Sequence, residues 1–378
     1  MKILHLTKYF PPTYGGIENQ AKYICDYLHE KKIKTTVLAF GKKNSIKSTN
    51  YKIFEVKPFF TILSQPFSIK YFFLAKKIFN QNDIIHFHYP NIMGLLVCFF
   101  FLKKKKLIIH WHSDIINQKY INLLFYPIEK NLIKRASKII FTSKIYSKRF
   151  KYYKQYKKKI KVINCGSHDL SKEFDRRKEL KKKFLKIKKK YENFNIIYSI
   201  GRLVKYKGYK YLIKSSTHLD KNTKIIIAGD GKEYSDLQKL IKRQNLNNKV
   251  FLIKKISYTD HLIYLKLCKV FCLPSISKNE AFGVALIEAM SFSKPLVSTN
   301  IDGSGIKFVN LNNLTGYVVP VKNSTKLGKR LFELINSKFI NKNFSKNSKI
   351  RFQKLFTSIM MVRKFYKMYE FVYEQSKK

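Results

Sequence analysis

Lys2-Ile3-Leu4-His5-Leu6, then Tyr9-Phe10-Pro11-Pro12-Thr13-Tyr14-Gly15-Gly16, then a run to Leu28 and a second apolar stretch at Thr35–Ala39, decide the fold. Ile3–Leu6 is too short and too apolar for a surface helix and reads as a strand. Tyr9–Gly16 carries the Pro and Gly of a loop. Beyond it, Ile17, Ala21, Ile24 and Leu28 recur at helical spacing on one face. Strand, loop, helix and strand in that order form the βαβ unit of an open parallel sheet. The pattern recurs at Asp83–Phe87, Leu107–His110 and Ile139–Thr142.

It restarts after about Lys172. A lysine-heavy segment, Lys178–Glu192, leads into a strand at Ile196–Ile200 and a loop at Gly201–Gly208. Further strands are expected at Lys224–Ala228, Val250–Leu252, Val270–Leu273, Pro295–Ser298 and Gly316–Val319, with a helix over Phe282–Phe292. The expectation is therefore an α/β protein of two Rossmann-like domains, residues 1–172 and 173–357. Residues 358–378 read as a terminal helix that neither sheet claims by pattern.

Composition bounds the function. A chain of 378 residues is long for one core, and 45% apolar content with 31 Phe and 25 Tyr excludes wholesale disorder. The 77 basic residues against 23 acidic ones leave +54, spread over both halves rather than gathered in a tail. Such a field suits nucleic acid, an anionic membrane or a phosphorylated substrate. A general drift toward Lys, Asn, Ile, Phe and Tyr explains it equally well. The five cysteines are scattered without zinc-site spacing, as expected for a reducing compartment. Ile92–Leu102 is about half the roughly 20 residues a membrane span needs, so it reads as a buried helix. The N-terminal apolar run is too short for a signal peptide. A cytoplasmic protein follows, with any membrane attachment peripheral.

Four loops could carry chemistry. Gly15-Gly16 sits between a strand and a helix, where glycine lets backbone approach a ligand and the helix N-terminus offers N–H groups to an anion; an ordinary turn is the alternative. The loop Gly201–Gly208 places Arg202 and Lys207 at a strand's carboxyl end, where open sheets bind ligands. A guanidinium fork and an ammonium there suit a diphosphate. Gly231 follows the next strand as a turn residue and a backbone lining for a nucleotide. Glu280 and Glu288 bracket the start of the Phe282–Phe292 helix. Acids are scarce in this chain, and carboxylates accept hydrogen bonds from sugar and ribose hydroxyls; a cap plus a surface carboxylate is the bland reading.

The segment Glu280-Ala281-Phe282-Gly283 to Glu288-Ala289-Met290 resembles the two-glutamate signature of the retaining, GT-B-fold glycosyltransferases of family 4. The resemblance runs from Gly15-Gly16-Ile17-Glu18 through Arg202, Lys207 and Pro274-Ser275 to Thr315-Gly316-Tyr317. It implies two Rossmann-like domains facing a nucleotide-sugar cleft, with the final helix returning to the first domain. It assigns Glu288 to the donor's ribose, Glu280 to hydroxyls of the transferred sugar, and Arg202 and Lys207 to the diphosphate. Phe282 and Gly283 belong to the donor site with them, and Gly15-Gly16 to its phosphates or to the acceptor side. His112, in His110-Trp111-His112-Ser113-Asp114, matches the histidine near the reacting sugar, with Asp114 as a neighbour. His86 and His88 could line an acceptor pocket. The family implies metal-independent transfer without a cofactor, and no metal ligand set shows in the sequence.

Departures from the family pattern lie in loops. Ser293 stands where a turn glycine is usual, so it must accept that turn's geometry. Ile253-Lys254 replaces a common glycine, and Asp302-Gly303-Ser304-Gly305 replaces a double-glycine loop, leaving Ser304 and neighbouring N–H groups to cradle a phosphate. Aromatics beside lysines at Pro58–Leu63 and Ile69–Lys77 suit an anionic bilayer or, equally, a core helix with solvated lysines. Together these readings imply transfer of a hexose, with mannose favoured, to a lipid-linked saccharide in cell-surface polysaccharide or lipopolysaccharide synthesis, at the inner face of the cytoplasmic membrane. GDP-mannose is the favoured donor, with UDP-hexoses close behind. A non-catalytic sugar- or lipid-binding homologue and a nucleic-acid-binding protein are the competing readings. Dispersed cations argue against nucleic acid as a partner.

Overall fold

The computed structural model describes residues 1–13, 15–62, 65–114, 119–254 and 256–375. The chain forms two compact units: Met1–Cys165 together with Ser358–Lys378, and Gly166–Thr357.

In the first unit the strands are β1 (Lys2–Tyr9), β2 (Lys34–Phe40), β3 (Ser45–Ser48), β4 (Lys52–Val56), β5 (Phe60–Ile62), β6 (Gln65–Phe67), β7 (Ile84–Tyr89), β8 (Lys106–Trp111), β9 (Lys138–Phe141) and β10 (Ile160–Val162). Eight of them form a sheet in the order β10-β9-β8-β7-β1-β2-β4-β3. Only β3 runs antiparallel, against β4. The first strand is therefore central, and the chain winds outward on one side and then the other. β7 is buried along its whole length, as a parallel strand covered on both faces must be. The β3–β4 pairing, the short β5–β6 hairpin and β10 escape the sequence reading because each run is brief or charged.

Helices cover both faces. Gly16–Glu30 buries Ala21, Ile24, Cys25 and Leu28, the stripe its spacing predicts. Ile92–Phe101 is the expected buried helix. The final helix, Ser358–Glu374, packs Met361, Val362, Phe365, Tyr369 and Val372 against Ile3, Ile24, Ile84, Ile108 and Ile140. These positions recur every three to four residues, so one face meets the sheet. Truncating the fully buried Phe365 to Ala would cost about 3–5 kcal/mol.

The second unit has β11 (Asn195–Ile200), β12 (Thr223–Ala228), β13 (Val250–Ile253), β14 (Val270–Leu273), β15 (Leu296–Asn300) and β16 (Gly316–Pro320). All pairs are parallel, in the order β13-β12-β11-β14-β15-β16. Winding reverses between β11 and β14, and the loops leaving those two strands diverge to make a crevice at their carboxyl ends. Residues just after Cys165 belong here by contact. Ser167 N–H donates to the Phe356 carbonyl, and Lys349 binds both carboxylate oxygens of Asp169 at 2.9 and 3.0 Å. These ties place the join a few residues ahead of residue 172.

Two local expectations resolve differently. Gly15 caps its helix in extended conformation, φ 179°, so neither it nor Gly16 uses a left-handed geometry. Ser293 does adopt the left-handed turn, at φ 57°. The helix after Glu280 begins at Val284, capped by left-handed Gly283.

Candidate active site

The crevice at the ends of β11 and β14 holds the best-organised polar group of the second unit. Lys207 lies in a single 3-10 turn, Lys205–Lys207, that follows β11. Gly208 ends that turn at φ 68°, and a Cβ there would meet the Pro274 carbonyl oxygen at 2.2 Å. Only glycine allows this approach. The loop after β14 is locked alongside, because Ile276 N–H donates to the Tyr206 carbonyl at 2.7 Å.

Within this frame Lys207 Nζ meets Glu280 Oε2 at 2.6 Å, with the side chains 11% and 13% exposed. Ser275 Oγ donates to the same carboxylate oxygen at 3.0 Å. Ser304 Oγ donates to the Glu280 carbonyl, and Gly305 N–H donates to the Ala281 carbonyl at 2.7 Å. Burial pushes the Lys207 pKa down, but Glu280, with Tyr206 and Tyr209, outweighs it and holds the ammonium above its ordinary value. Lys207 is therefore charged at neutral pH, with one of its three N–H donors on Glu280.

Other expected residues lie in different arrangements. Arg202 is exposed on the same loop, its Nη2 3.4 Å from Tyr206 Oη. Glu288 has a partner of its own, His261 Nε2 at 3.3 Å, and His261 Nδ1 lies 3.1 Å from Tyr198 Oη. Glu280 and Glu288 thus have separate hydrogen-bond partners. Gly231 packs on the Arg202 loop, where a Cβ would come within 2.4 Å of the Leu203 carbonyl oxygen. Phe282 is buried against Phe308 and Phe356, which leaves its backbone, not its ring, for a ligand. Ser304 is also buried, accepting from Ile306 N–H while donating to the Glu280 carbonyl, so it braces the carboxylate's loop. Sequence reading named Ser275 and Ser304 without their bracing roles and missed His261, whose partner Glu288 lies 27 residues on.

In the first unit the fold gathers five histidines at its own reversal point, between β1 and β7. His5, His86, His88, His110 and His112 are all buried. Register explains the gathering: His5 pairs with His86, and His88 with His110. Burial pushes His5 and His112 down to about 3 and depresses the other three, so all five are neutral near pH 7. His86 and His88 lie inside the unit, beneath the final helix in the case of His86, whose Nδ1 bonds Tyr369 Oη. That burial corrects their assignment to a pocket wall. Asp114 accepts from the Trp111 indole at 2.9 Å.

Two trios, His5/His86/His88 and His88/His110/His112, bring ring nitrogens within 4.8 Å of one another. Sequence spacing could not show this cluster. Imidazole trios suit Zn, Cu or Ni ions. In the observed arrangement, however, His86 and His88 stack at 4.3 Å with planes 6° apart, and His88 and His112 at 5.2 Å with planes 7° apart. The facing nitrogens of His88 and His112 are hydrogen-bonded to each other at 3.0 Å, so those two atoms are already engaged.

Comparison with known proteins agrees with this architecture. Residues 14–168 match the model for Glycosyltransferase Family 4, and residues 180–351 match that for Glycosyl transferases group 1. The chain is 27% identical over 375 residues to O-antigen chain mannosyltransferase C of Escherichia coli, covering 98% of each chain. It is 24% identical to D-rhamnosyltransferase WbpZ of Pseudomonas aeruginosa, over 95% of this chain and 93% of that one. Among solved structures, sucrose-phosphate synthase from Thermosynechococcus elongatus superposes with a TM-score of 0.80 at 16% identity, over 99% of this chain and all of the other. Anabaena Alr3699/HepE in complex with UDP and glucose gives 0.79 at 18% identity, over 98% and 99%.

Proposed function

The chain is a family 4-like glycosyltransferase of GT-B fold, and from that premise we propose that it transfers a hexose, mannose first, from a nucleoside diphosphate sugar to a lipid-linked saccharide. The observation that carries the reading is the Lys207–Glu280 pair at the β11/β14 crevice. Lys207 places a preorganised ammonium beside the leaving diphosphate, and exposed Arg202 adds a guanidinium fork from the same loop. Such cations lower a barrier because negative charge grows on the leaving group as the glycosidic bond breaks. Glu280, held by Lys207 and Ser275, accepts from hydroxyls of the transferred sugar. Glu288, oriented by His261, takes the ribose. The N-terminus behind Gly283 and the Gly15-Gly16 turn offer backbone N–H groups. His112, on the first unit, acts at the reacting sugar.

Retention follows from front-face attack: the acceptor hydroxyl forms the new bond on the face from which the diphosphate departs, and its proton passes to the leaving phosphate oxygen. No separate carboxylate base is then required. The sugar assignment is supported by two relatives, one named an O-antigen chain mannosyltransferase and the other a D-rhamnosyltransferase.

Membrane association, placed at the cytoplasmic face, is supported by exposed apolar and basic side chains of the first unit. Phe59, Ile69 and Phe73 are 89%, 76% and 63% exposed, and Lys57, Lys70, Lys76 and Lys77 are exposed among them. Leu63, also singled out above, lies outside the described residues. No helix among the described residues is long and apolar enough to cross a membrane, so binding rests on aromatic insertion and attraction to anionic lipid.

A donor panel incubated with membrane lipid extract tests the proposal, reading nucleotide release and labelled lipid product together. GDP-mannose should give both, and Glu280→Ala or Arg202→Ala should abolish most turnover. Release from UDP-hexoses alone would overturn the mannose assignment, and no release from any donor would leave a non-catalytic binding protein.

A further inference from the structure

Three of the buried imidazoles form a continuous hydrogen-bonded row. His5 Nδ1 lies 3.1 Å from His88 Nε2, and His88 Nδ1 lies 3.0 Å from His112 Nε2. A neutral imidazole has one N–H and one lone pair, so each nitrogen pair can share only one proton. Fixing the direction of one bond therefore fixes the whole row.

Two directions are available. If protons point from His112 toward His5, the row ends on His5 Nε2–H, and that nitrogen is buried without a partner. If they point from His5 toward His112, the same nitrogen holds only a lone pair. Orphaned N–H groups are the rarer of the two in buried sites. We propose that His5 and His88 are positioning residues for His112: His5 Nδ1–H donates to His88 Nε2, and His88 Nδ1–H donates to His112 Nε2. His112 is thereby held as the Nδ1–H tautomer, and its only free ring atom is a hydrogen-bond donor.

The inference rests on the proposed role of His112 at the reacting sugar, and gives that role a direction. His112 donates a hydrogen bond to a sugar oxygen instead of removing a proton. The surroundings keep the row neutral and aligned. The His88 and His112 planes lie 7° apart, which suits an N–H···N bond in the plane of both rings, and His86, stacked on His88 at 4.3 Å, is anchored through Tyr369. Nitrogen separations of 3.0–3.1 Å are those of N–H···N bonds.

The test is a long-range proton–nitrogen correlation spectrum of the full-length chain with nitrogen-15-labelled histidine, assigned by single His→Asn variants. His5, His88 and His112 should all show the Nδ1–H pattern. An Nε2–H pattern at His88 or His112 overturns the proposal, as does a set of imidazole signals that shifts on adding a chelator, since a metal would then hold the rings.

Kinetics separate the row from the function it serves. His5→Leu removes the first donor and should lower kcat about tenfold, the value of one hydrogen bond, with donor KM little changed. His5→Asn, whose amide nitrogen sits where Nδ1 was, should restore most of the loss. Failure of His5→Asn to restore it overturns the positioning role. Unchanged turnover in a His5→Leu chain whose His112 has switched to Nε2–H would instead overturn the role given to His112, leaving the row as observed.

Discussion

Lys207 Nζ and Glu280 Oε2 lie 2.6 Å apart at side chains no more than 13% exposed, so each is the other's main compensation for leaving water. Removing one charge strands the other. Glu280→Gln should destabilise the second unit by about 3 kcal/mol, and adding Lys207→Met should recover most of that loss without recovering turnover. Urea denaturation of the single and double variants measures both effects. The pH dependence has a definite sign. Because the folded Lys207 pKa lies above its ordinary value, the pair's contribution is complete at neutral pH and declines only above the usual lysine range.

The first unit has the opposite sensitivity. His5 and His112 titrate near 3 when folded but near 6.5 when unfolded, so the unfolded chain binds protons first as pH falls. Stability is complete above about pH 6.5 and is lost toward 3, at about 1.4 kcal/mol per pH unit for each histidine. Trp111, the single tryptophan, sits in this unit stacked 3.9 Å from Tyr89, so its fluorescence reports this unit alone. Its urea midpoint should fall steadily from about pH 6.5 to about pH 4, and a flat midpoint over that window would refute the assignment.

Ser293 holds a left-handed conformation at φ 57°. Glycine removes the Cβ clash, so Ser293→Gly should stabilise the second unit by about 0.5–1 kcal/mol, net of glycine's greater unfolded-state entropy. Thermal denaturation reads the gain, and turnover should be unaffected because the residue lies beyond the helix carrying Glu288.

On the first unit, Phe59→Ser with Phe73→Ser should weaken sedimentation with anionic vesicles more than about tenfold, as expected for two aromatic side chains leaving a lipid interface. Turnover of a soluble acceptor should persist. Wild-type binding should fall between low and high salt, because the exposed lysines act through a screened field. Equal binding at both salt levels would remove the electrostatic part of the membrane reading.

Periodicity and order in the chain were sufficient for two successive α/β domains, since short apolar runs such as Ile3–Leu6 and Ile225–Ile227, set between loops and longer helical stretches, form strands. They were sufficient, too, for the loops bearing Lys207 and Glu280, because a reversal of winding puts loop residues at a crevice whatever their side chains. Partnerships between distant residues were another matter. Ser275 and Ser304 brace Glu280, His261 holds Glu288, and His5 joins His88 only through strand register and loop crossings. A side chain's partner depends on where the backbone returns, and one-dimensional spacing carries no record of that, whether the return takes five residues, as from Ser275 to Glu280, or 83, as from His5 to His88. Composition supplied nine scattered histidines; packing buried five of them together in the first unit and made three a single hydrogen-bonded row.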